Sequence, residues 1–525
     1  MVILYPQDEN LNQRYIFKTY IKEINSNEIV LSLRNKLINQ SVLTKFTNWL
    51  IIPDSSDSIN KKLYSEIYSF VNSNKVEYFI GNKQPRFENI EVDFKDLNLI
   101  QARICQKAIN ARDYFLIQGP PGTGKTSYVL KAIVEQIYNS TNYNILLVSY
   151  TNRAVDEICN AIKRISEEIE IIRLGSKEVS IHKELLFSEL IENYNLKELN
   201  LKLKRTRIIA STVASLINTQ EIFQIKHFDI AIIDEASQIL EPYIVGIISK
   251  VNKFIMIGDE KQLPAITQQS EEFLQVKSKK LIEIGLENFS ISYFERLLTN
   301  AKTKGWNECF DMLEIQNRMH KDIMNLINFL FYNNKLNLSE NNWQSEEFNT
   351  YQIKSKLGDL LSKSRIVFIN CPNENNYKFN KSEALLTIKI IEEIKSNLKD
   401  NFIENSIGVI SPFRLQCSEI SNLIEENDRK LITVDTVERF QGSERGFIII
   451  STSVNKEVML QSILSLVIIE DIEIDRKLNV ALTRAKKQIV ILGNEQVLSK
   501  SKIYKKMIDF IKEYGCFVNY DECYK

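Results

Sequence analysis

YFLIQGPPGTGKT, Tyr114 to Thr126, joins an apolar run to a glycine-rich octapeptide, and its reading decides the fold. Tyr114–Gln118 has the composition of a short buried strand. Gly119–Thr126 has the form G-x-x-x-x-G-K-[ST], in which backbone amides cradle nucleotide phosphates, the lysine reaches the β- and γ-phosphates and the hydroxyl holds Mg²⁺. At average residue usage such a match arises on the order of once in tens of thousands of positions, and glycine is scarce here, 15 residues in 525. A glycine-rich turn that happens to carry a lysine does not account for the strand placed directly before it. Gly119, Pro120, Gly122, Thr123, Gly124, Lys125, Thr126 and Ser127 are the expected nucleotide-binding set, with Thr126 also on the metal.

Strand and helix patterns extend from this loop in both directions. Thr126–Ile137 reads as a helix, and Ile145–Ser149, Ile208–Ser211, Ile230–Ile233 and Phe254–Ile257 repeat the short apolar style of Tyr114–Gln118. A second series follows at Ile366–Asn370, Ile407–Ile410, Phe447–Ser451 and Ile489–Gly493. Strands that alternate with helices predict parallel sheets covered on both faces, hence an α/β fold with two tandem domains joined near residues 290 to 300. The first 90 or so residues differ. Tyr15–Leu33 alternates in a way that suits a hairpin, and Leu63–Phe70 has helical spacing.

Composition sets bounds on function. The chain is long enough for several domains, and 44% hydrophobic residues supply their cores. Lys+Arg and Asp+Glu are both 67, so a polyanion would have to be held by a locally basic groove and not by a basic body. There is no uninterrupted apolar stretch near 18 residues and no secretory layout at the N-terminus, so a cytoplasmic protein without membrane contact is expected. The seven cysteines are scattered, with no C-x-x-C pair, which points to reduced thiols and away from a zinc or iron–sulfur site.

Nucleotide cleavage needs a carboxylate to organise Mg²⁺ and a polar group to orient the attacking water. In IAIIDEASQ, Asp234 and Glu235 follow an apolar strand at the end where ligands sit in an open α/β sheet. Alone, an acidic pair there is usually the start of a helix; downstream of the phosphate loop it is the expected metal and water site. Positive charge for the γ-phosphate is expected from Arg318 in LEIQNRMH and Arg484 in NVALTRAKK.

These stretches resemble, in order, those of superfamily 1 helicases of the subfamily B branch, the group of the nonsense-mediated-decay helicase, senataxin and the replication nuclease-helicase. LNLIQ with Gln101 is similar to the adenine-reading Q motif, VSYTNRAVDEI to motif Ia, IIASTVAS to Ic, DEASQ to II and GDEKQLP to III. SYFERL, LEIQNRMH, VDTVERFQGSERG and LNVALTRAKK are similar to the rest of the set. The resemblance implies two RecA-like motor domains, ATP with Mg²⁺, and a 5′-to-3′ translocase on single-stranded DNA or RNA, DNA favoured. It also implies roles. Lys125 would bind phosphate, Thr126 and Asp234 the metal, and Glu235 would activate water. Gln262 would sense the γ-phosphate, Arg318 and Arg484 would act as arginine fingers, and Gly442 and Glu444 would touch γ-phosphate and ribose. Nucleic acid would be contacted near Thr151, Asn152, Thr212, Pro412, Phe413 and Thr436.

By the same resemblance, residues 1–55 would form a small β-barrel-like module, 56–90 a stalk helix region, 91–290 the first motor domain, 291–500 the second and 501–525 a C-terminal helical tail. Some positions depart from the family pattern. Asn317 stands where QYRMHP carries tyrosine and Lys321 replaces the proline, which predicts weaker base selectivity. Arg439 and Gly446 replace commoner residues, and Arg439 is expected to face the strand. Ser176–Arg205 is short for the helical insertion usual there. Nothing resembles a nuclease domain, so any cutting is expected from a partner protein of a monomeric motor. The alternative is an ATP-gated clamp or scaffold that binds nucleic acid without processive unwinding.

Overall fold

A computed structural model describes residues 2–7, 17–24, 28–33, 46–53, 58–267, 269–347 and 355–524. The chain forms two compact units, Met1–Ser65 and Glu66–Lys525. In the first, four strands form an antiparallel sheet in the order Ile29–Leu33, Phe17–Ile24, Val2–Pro6, Trp49–Pro53. The hairpin expected from Tyr15 to Leu33 is its Phe17–Ile24 and Ile29–Leu33 pair; Tyr15 lies outside the described residues. The helical spacing of Leu63–Phe70 falls within the helix Ser58–Val71.

Two parallel sheets organise the second unit. The first has seven strands, ordered Phe310–Met312, Tyr114–Gln118, Val251–Gly258, Phe228–Asp234, Ile145–Ser149, Ile208–Thr212, Ile171–Leu174. The second has six, ordered Ile432–Asp435, Ile407–Ile410, Arg445–Ser451, Ala485–Gly493, Ile366–Asn370, Cys516–Asn519. Their inner strands each contain a continuous apolar run because helices cover both faces. Alternate residues therefore feed different cores: Ile366 and Phe368 enter one cluster, Val367 and Ile369 the other. The covering helices carry the matching period. In Asn152–Lys163 the residues Val155, Ile158, Cys159 and Ile162 are buried, an i, i+3, i+4, i+7 stripe.

All four strands that the apolar pattern does not mark, Ile171–Leu174, Phe310–Met312, Ile432–Asp435 and Cys516–Asn519, are the sheet edges. An edge strand needs less apolar surface, and FDM at 310 is only half-buried throughout. Two expectations change as a result. The chain returns to the first sheet after residue 300, where Phe310–Met312 pairs with Leu116–Gln118. The segment 501–525 is not only helical, since Cys516–Asn519 follows the helix Lys502–Tyr514 and pairs with Val367–Asn370.

A carboxyl is buried at the carboxyl end of the second sheet. Glu383 is buried in the helix Lys381–Leu398 and accepts from Ser451 Oγ at 2.7 Å and Ser453 N at 2.9 Å. Burial pushes its carboxyl up to about 8, with nearby Glu374 adding to the shift. All seven cysteines are free and buried, and burial raises the thiols of Cys105, Cys159 and Cys309 to about 12. Among the described residues no helix is long and apolar enough to cross a membrane.

Candidate functional site

The strand Tyr114–Gln118 ends in the glycine-rich loop, whose first amide, Gly119 N, donates to Gly258 O of the adjacent strand at 2.8 Å. Gly122 and Gly124 have φ of 76° and 79°, a region that costs a side chain about 1 kcal/mol or more. The helix that follows begins with a π-helical turn, Lys125–Leu130, and continues as the α-helix Lys131–Ser140, where one uninterrupted helix was expected. Such turns are common at functional sites. Lys125 Nζ donates to Gly119 O at 2.6 Å, folded across the cradle it would share with a phosphate.

Thr126 Oγ1 donates to Asp234 Oδ2 at 2.6 Å. One hydroxyl and one carboxylate oxygen side by side fit a divalent ion that takes its remaining oxygens from phosphate and water. Among the described residues there is no group of three or more His, Cys, Asp or Glu that would build a protein-only site. Burial, then the charge of Glu235, holds the Asp234 carboxyl above its ordinary range. Glu235 itself takes φ of 53°, a strained backbone for a non-glycine residue. Its amide donates to Asp234 Oδ1 at 2.9 Å and Gln238 Nε2 donates to its Oε2 at 3.1 Å, which hold the turn.

Gln262 links the loop after the strand Val251–Gly258 to Arg484. Its Nε2 donates to Asp259 Oδ2 at 2.7 Å, and its Oε1 accepts from Arg484 Nη2 at 3.3 Å. Arg484 is 2% exposed and also donates to Val480 O and Ser443 O. Burial, then the like charge of Arg318, lowers its guanidinium to about 9. Arg318 donates through Nε to Glu444 Oε2 at 2.7 Å, and Lys486 pairs with the other oxygen of that carboxylate. Arg318 also abuts the phosphate loop: a Cβ on Gly122 would lie 2.5 Å from its own Cβ.

One cavity of about 500 Å³ collects most of these groups, with Asp234 reached only through Thr126 in its wall. Its wall runs from the loop Pro120–Ser127 past Glu235 and Gln262 to Arg318, Gly442, Glu444 and Arg484. Gln101 sits behind the loop. It completes a capping box with Asn98 and donates through Nε2 to Thr123 O at 3.3 Å. Glu157, Trp343, Lys486 and Lys487 also line the cavity, from a helix, a 3₁₀ turn and, for the two lysines, the strand Ala485–Gly493, and residue pattern singles out none of them. Glu157 is held above its ordinary range, first by burial.

A neighbouring cavity of about 600 Å³ is lined from the first sheet by Tyr150, Thr151 and Arg153 and from the second by Arg439 and Lys477. Arg153 Nη2 donates across to Gly442 O at 3.1 Å. Of the expected nucleic-acid contacts, Thr151 is exposed, capping Ala154 N at 3.2 Å, and Asn152 accepts from the buried Arg173. Pro412 is half-buried. Thr212, Phe413 and Thr436 are buried: Thr212 caps Ser215 N at 3.1 Å, and the Phe413 ring belongs to the apolar core. These residues all follow the carboxyl ends of parallel strands, the end where ligands bind in such sheets.

Two family descriptions, both an AAA domain, match this chain, one at 96–202 and 188–270 and the other at 289–496. The chain belongs to superfamily 1 of the helicases, in the subfamily B branch. The DNA replication ATP-dependent helicase/nuclease of Arabidopsis thaliana is 29% identical over 497 residues, which span 88% of this chain and 35% of that protein. Its Saccharomyces cerevisiae counterpart is 30% identical over 477 residues, spanning 83% of this chain and 29% of that protein. An uncharacterized ATP-dependent helicase of Methanocaldococcus jannaschii is 28% identical over 522 residues, spanning 82% of this chain and 73% of that protein. This subfamily B chain thus spans about a third of the length of the two replication helicase/nucleases.

Proposed function

We propose that this chain is an ATP-dependent 5′-to-3′ translocase and helicase on single-stranded nucleic acid, with DNA favoured over RNA. The observation that carries the reading is the cavity in which Lys125, Thr126 and Glu235 from the first sheet face Arg318, on the loop after Ile315–Gln316, and Arg484, from the second sheet. When bound, Mg²⁺ would neutralise charge on the phosphates of ATP. Lys125 would leave Gly119 O for the β- and γ-phosphates, while Thr126 and Asp234 would hold the metal. Glu235, aimed by its strained backbone, would take the proton of the attacking water. Arg318 and Arg484 would stabilise charge on the transferring phosphoryl group, with Gln262 relaying its presence to Arg484.

Because the two halves of this site ride on different sheets, binding would draw them together and hydrolysis would release them, alternating the grip on a strand. Arg153, Arg439 and Lys477 line the adjoining cavity, each paired with a carboxylate, Glu157, Asp435 and Glu438, so to hold a strand they would exchange those partners for phosphates. The 5′-to-3′ polarity and the DNA preference rest on family resemblance and on the names of the replication relatives. A monomeric motor in the cytoplasm, working beside a separate nuclease or other protein partner, completes the proposal; seven buried thiols suit a reducing compartment.

The test is steady-state ATP hydrolysis by the purified protein alone, with single-stranded DNA and with single-stranded RNA, followed by unwinding of duplexes with a 5′ or a 3′ tail. Stimulation mainly by DNA and unwinding only from the 5′ tail are expected. Hydrolysis that neither polymer stimulates would overturn the motor in favour of the ATP-gated clamp.

A further inference from the structure

The cavity holds a feature that phosphate chemistry does not use. Trp343 lies in its wall, on the short 3₁₀ turn Asn342–Ser345, with its ring half-buried. A tryptophan ring brings a broad π-face and no charge, which suits a flat heterocycle and not a triphosphate. Its neighbour in the same wall, Asn317, has no such face.

The turn is fixed to the loop that carries Arg318. Gln344, fully buried, donates through Nε2 to Met319 O at 2.8 Å and to Gln316 O at 3.2 Å, and Ser339 Oγ donates to its Oε1. Ser339 N donates to Gln316 O at 3.3 Å, and Asn337–Leu338 pairs in parallel with Ile315–Gln316. Asn341 Nδ2 reaches Asn317 Oδ1 at 3.4 Å, while Asn317 N donates to Gly122 O at 2.8 Å. Trp343 is therefore held rigidly beside the phosphate loop. A preorganised ring loses little freedom when a base stacks on it.

The other aromatic residue in the wall, Tyr128, is committed differently. It rises from the π-helical turn, and its ring edge occupies the space above Gly124, with Cδ2 2.7 Å from where a Cβ would stand. That position borders the phosphate cradle.

We infer that Trp343 stacks on the base of the bound nucleoside triphosphate and is the residue that positions the base. The inference rests on the cavity being the ATP site. Stacking is tolerant of base identity, so Trp343 would strengthen binding of ATP and GTP alike and leave discrimination between them to other groups.

The experiment compares Trp343→Ala and Trp343→Phe with the unaltered protein in KM for ATP and for GTP, and in inhibition by tripolyphosphate, which has no base. Loss of one stacked base predicts a KM for both nucleotides raised about tenfold in Trp343→Ala, falling on KM more than on kcat. Trp343→Phe should recover most of it, and the tripolyphosphate inhibition constant should be the same in all three proteins. A KM in Trp343→Ala within twofold of the unaltered protein, while Lys125→Ala abolishes hydrolysis, would overturn the stacking role and leave the ATP site standing. Tripolyphosphate inhibition that weakens in step with ATP would mean that Trp343 only braces the loop, which also overturns it. An unaltered protein that neither binds nor cleaves ATP overturns both readings.

Discussion

The carboxyl ends of the two parallel sheets each bury an acid, and the two are treated in opposite ways. Asp234 ends a strand of the first sheet beside the Thr126 hydroxyl and a cavity of about 500 Å³. Glu383 at the second sheet is sealed by Ser451 and Ser453, and among the described residues no cation pairs with it. Cations are distributed the other way. Arg318, on the loop after Ile315–Gln316, and Arg484, immediately before a second-sheet strand, reach the cavity from the other side, one neutralised by Glu444 and the other held by neutral acceptors alone. The first sheet thus presents the glycine-rich loop and its acids while the cations come from outside it, so the proposed phosphoryl-transfer site is complete on neither side alone.

The sharpest way to break this comparison is Lys125→Ala. Turnover should fall at least about 10³-fold, while the thermal midpoint moves by about a degree or two at most, because among the described residues the hydrogen bond of Nζ goes to Gly119 O alone. Unchanged turnover would remove the first sheet from the chemistry. Next in size is the contrast between the two arginines. Arg318→Ala and Arg484→Ala should each lower kcat about 10³-fold. Only Arg484→Ala should also destabilise the fold, by about 2–4 kcal/mol in urea titration, since it strands several buried acceptors. Equal stability losses would show that both arginines are structural.

The smallest effect concerns Glu383. Its folded value, about 8, lies above the ordinary glutamate value of 4.5, so the folded state binds more protons and stability is lost as pH rises from about 4.5 through 8. Glu383→Gln keeps the acceptor without the charge. Its melting midpoint should exceed that of the unaltered protein at pH 8, and the gap should close towards pH 4.5. A gap independent of pH would mean that the carboxyl is ionised in the fold.

Inner strands are legible because burial on both faces demands a continuous apolar run, as in ILLVS at 145. Edge strands such as FDM at 310 are not, because partial burial relaxes that demand. The phosphate loop and the Asp234–Glu235 pair are local and announce themselves. The set of Arg318, Glu444 and Lys486 is assembled from two loops and a strand and exists only after folding. Direction is the other missing quantity: Thr212 caps its own helix, the Phe413 ring turns into the core, and Gln101 closes a capping box, none of which spacing reveals.

The seven buried thiols carry a practical consequence. A thiol raised to about 11 or 12 by burial, as at Cys105, Cys159, Cys309, Cys417 and Cys523, exposes almost no thiolate at neutral pH. The native surface is therefore silent to maleimide reagents. A pair of cysteines introduced on exposed positions, one beside each parallel sheet, would carry fluorophores without a cysteine-free background, and the distance between the dyes would report opening and closing in the otherwise unaltered protein.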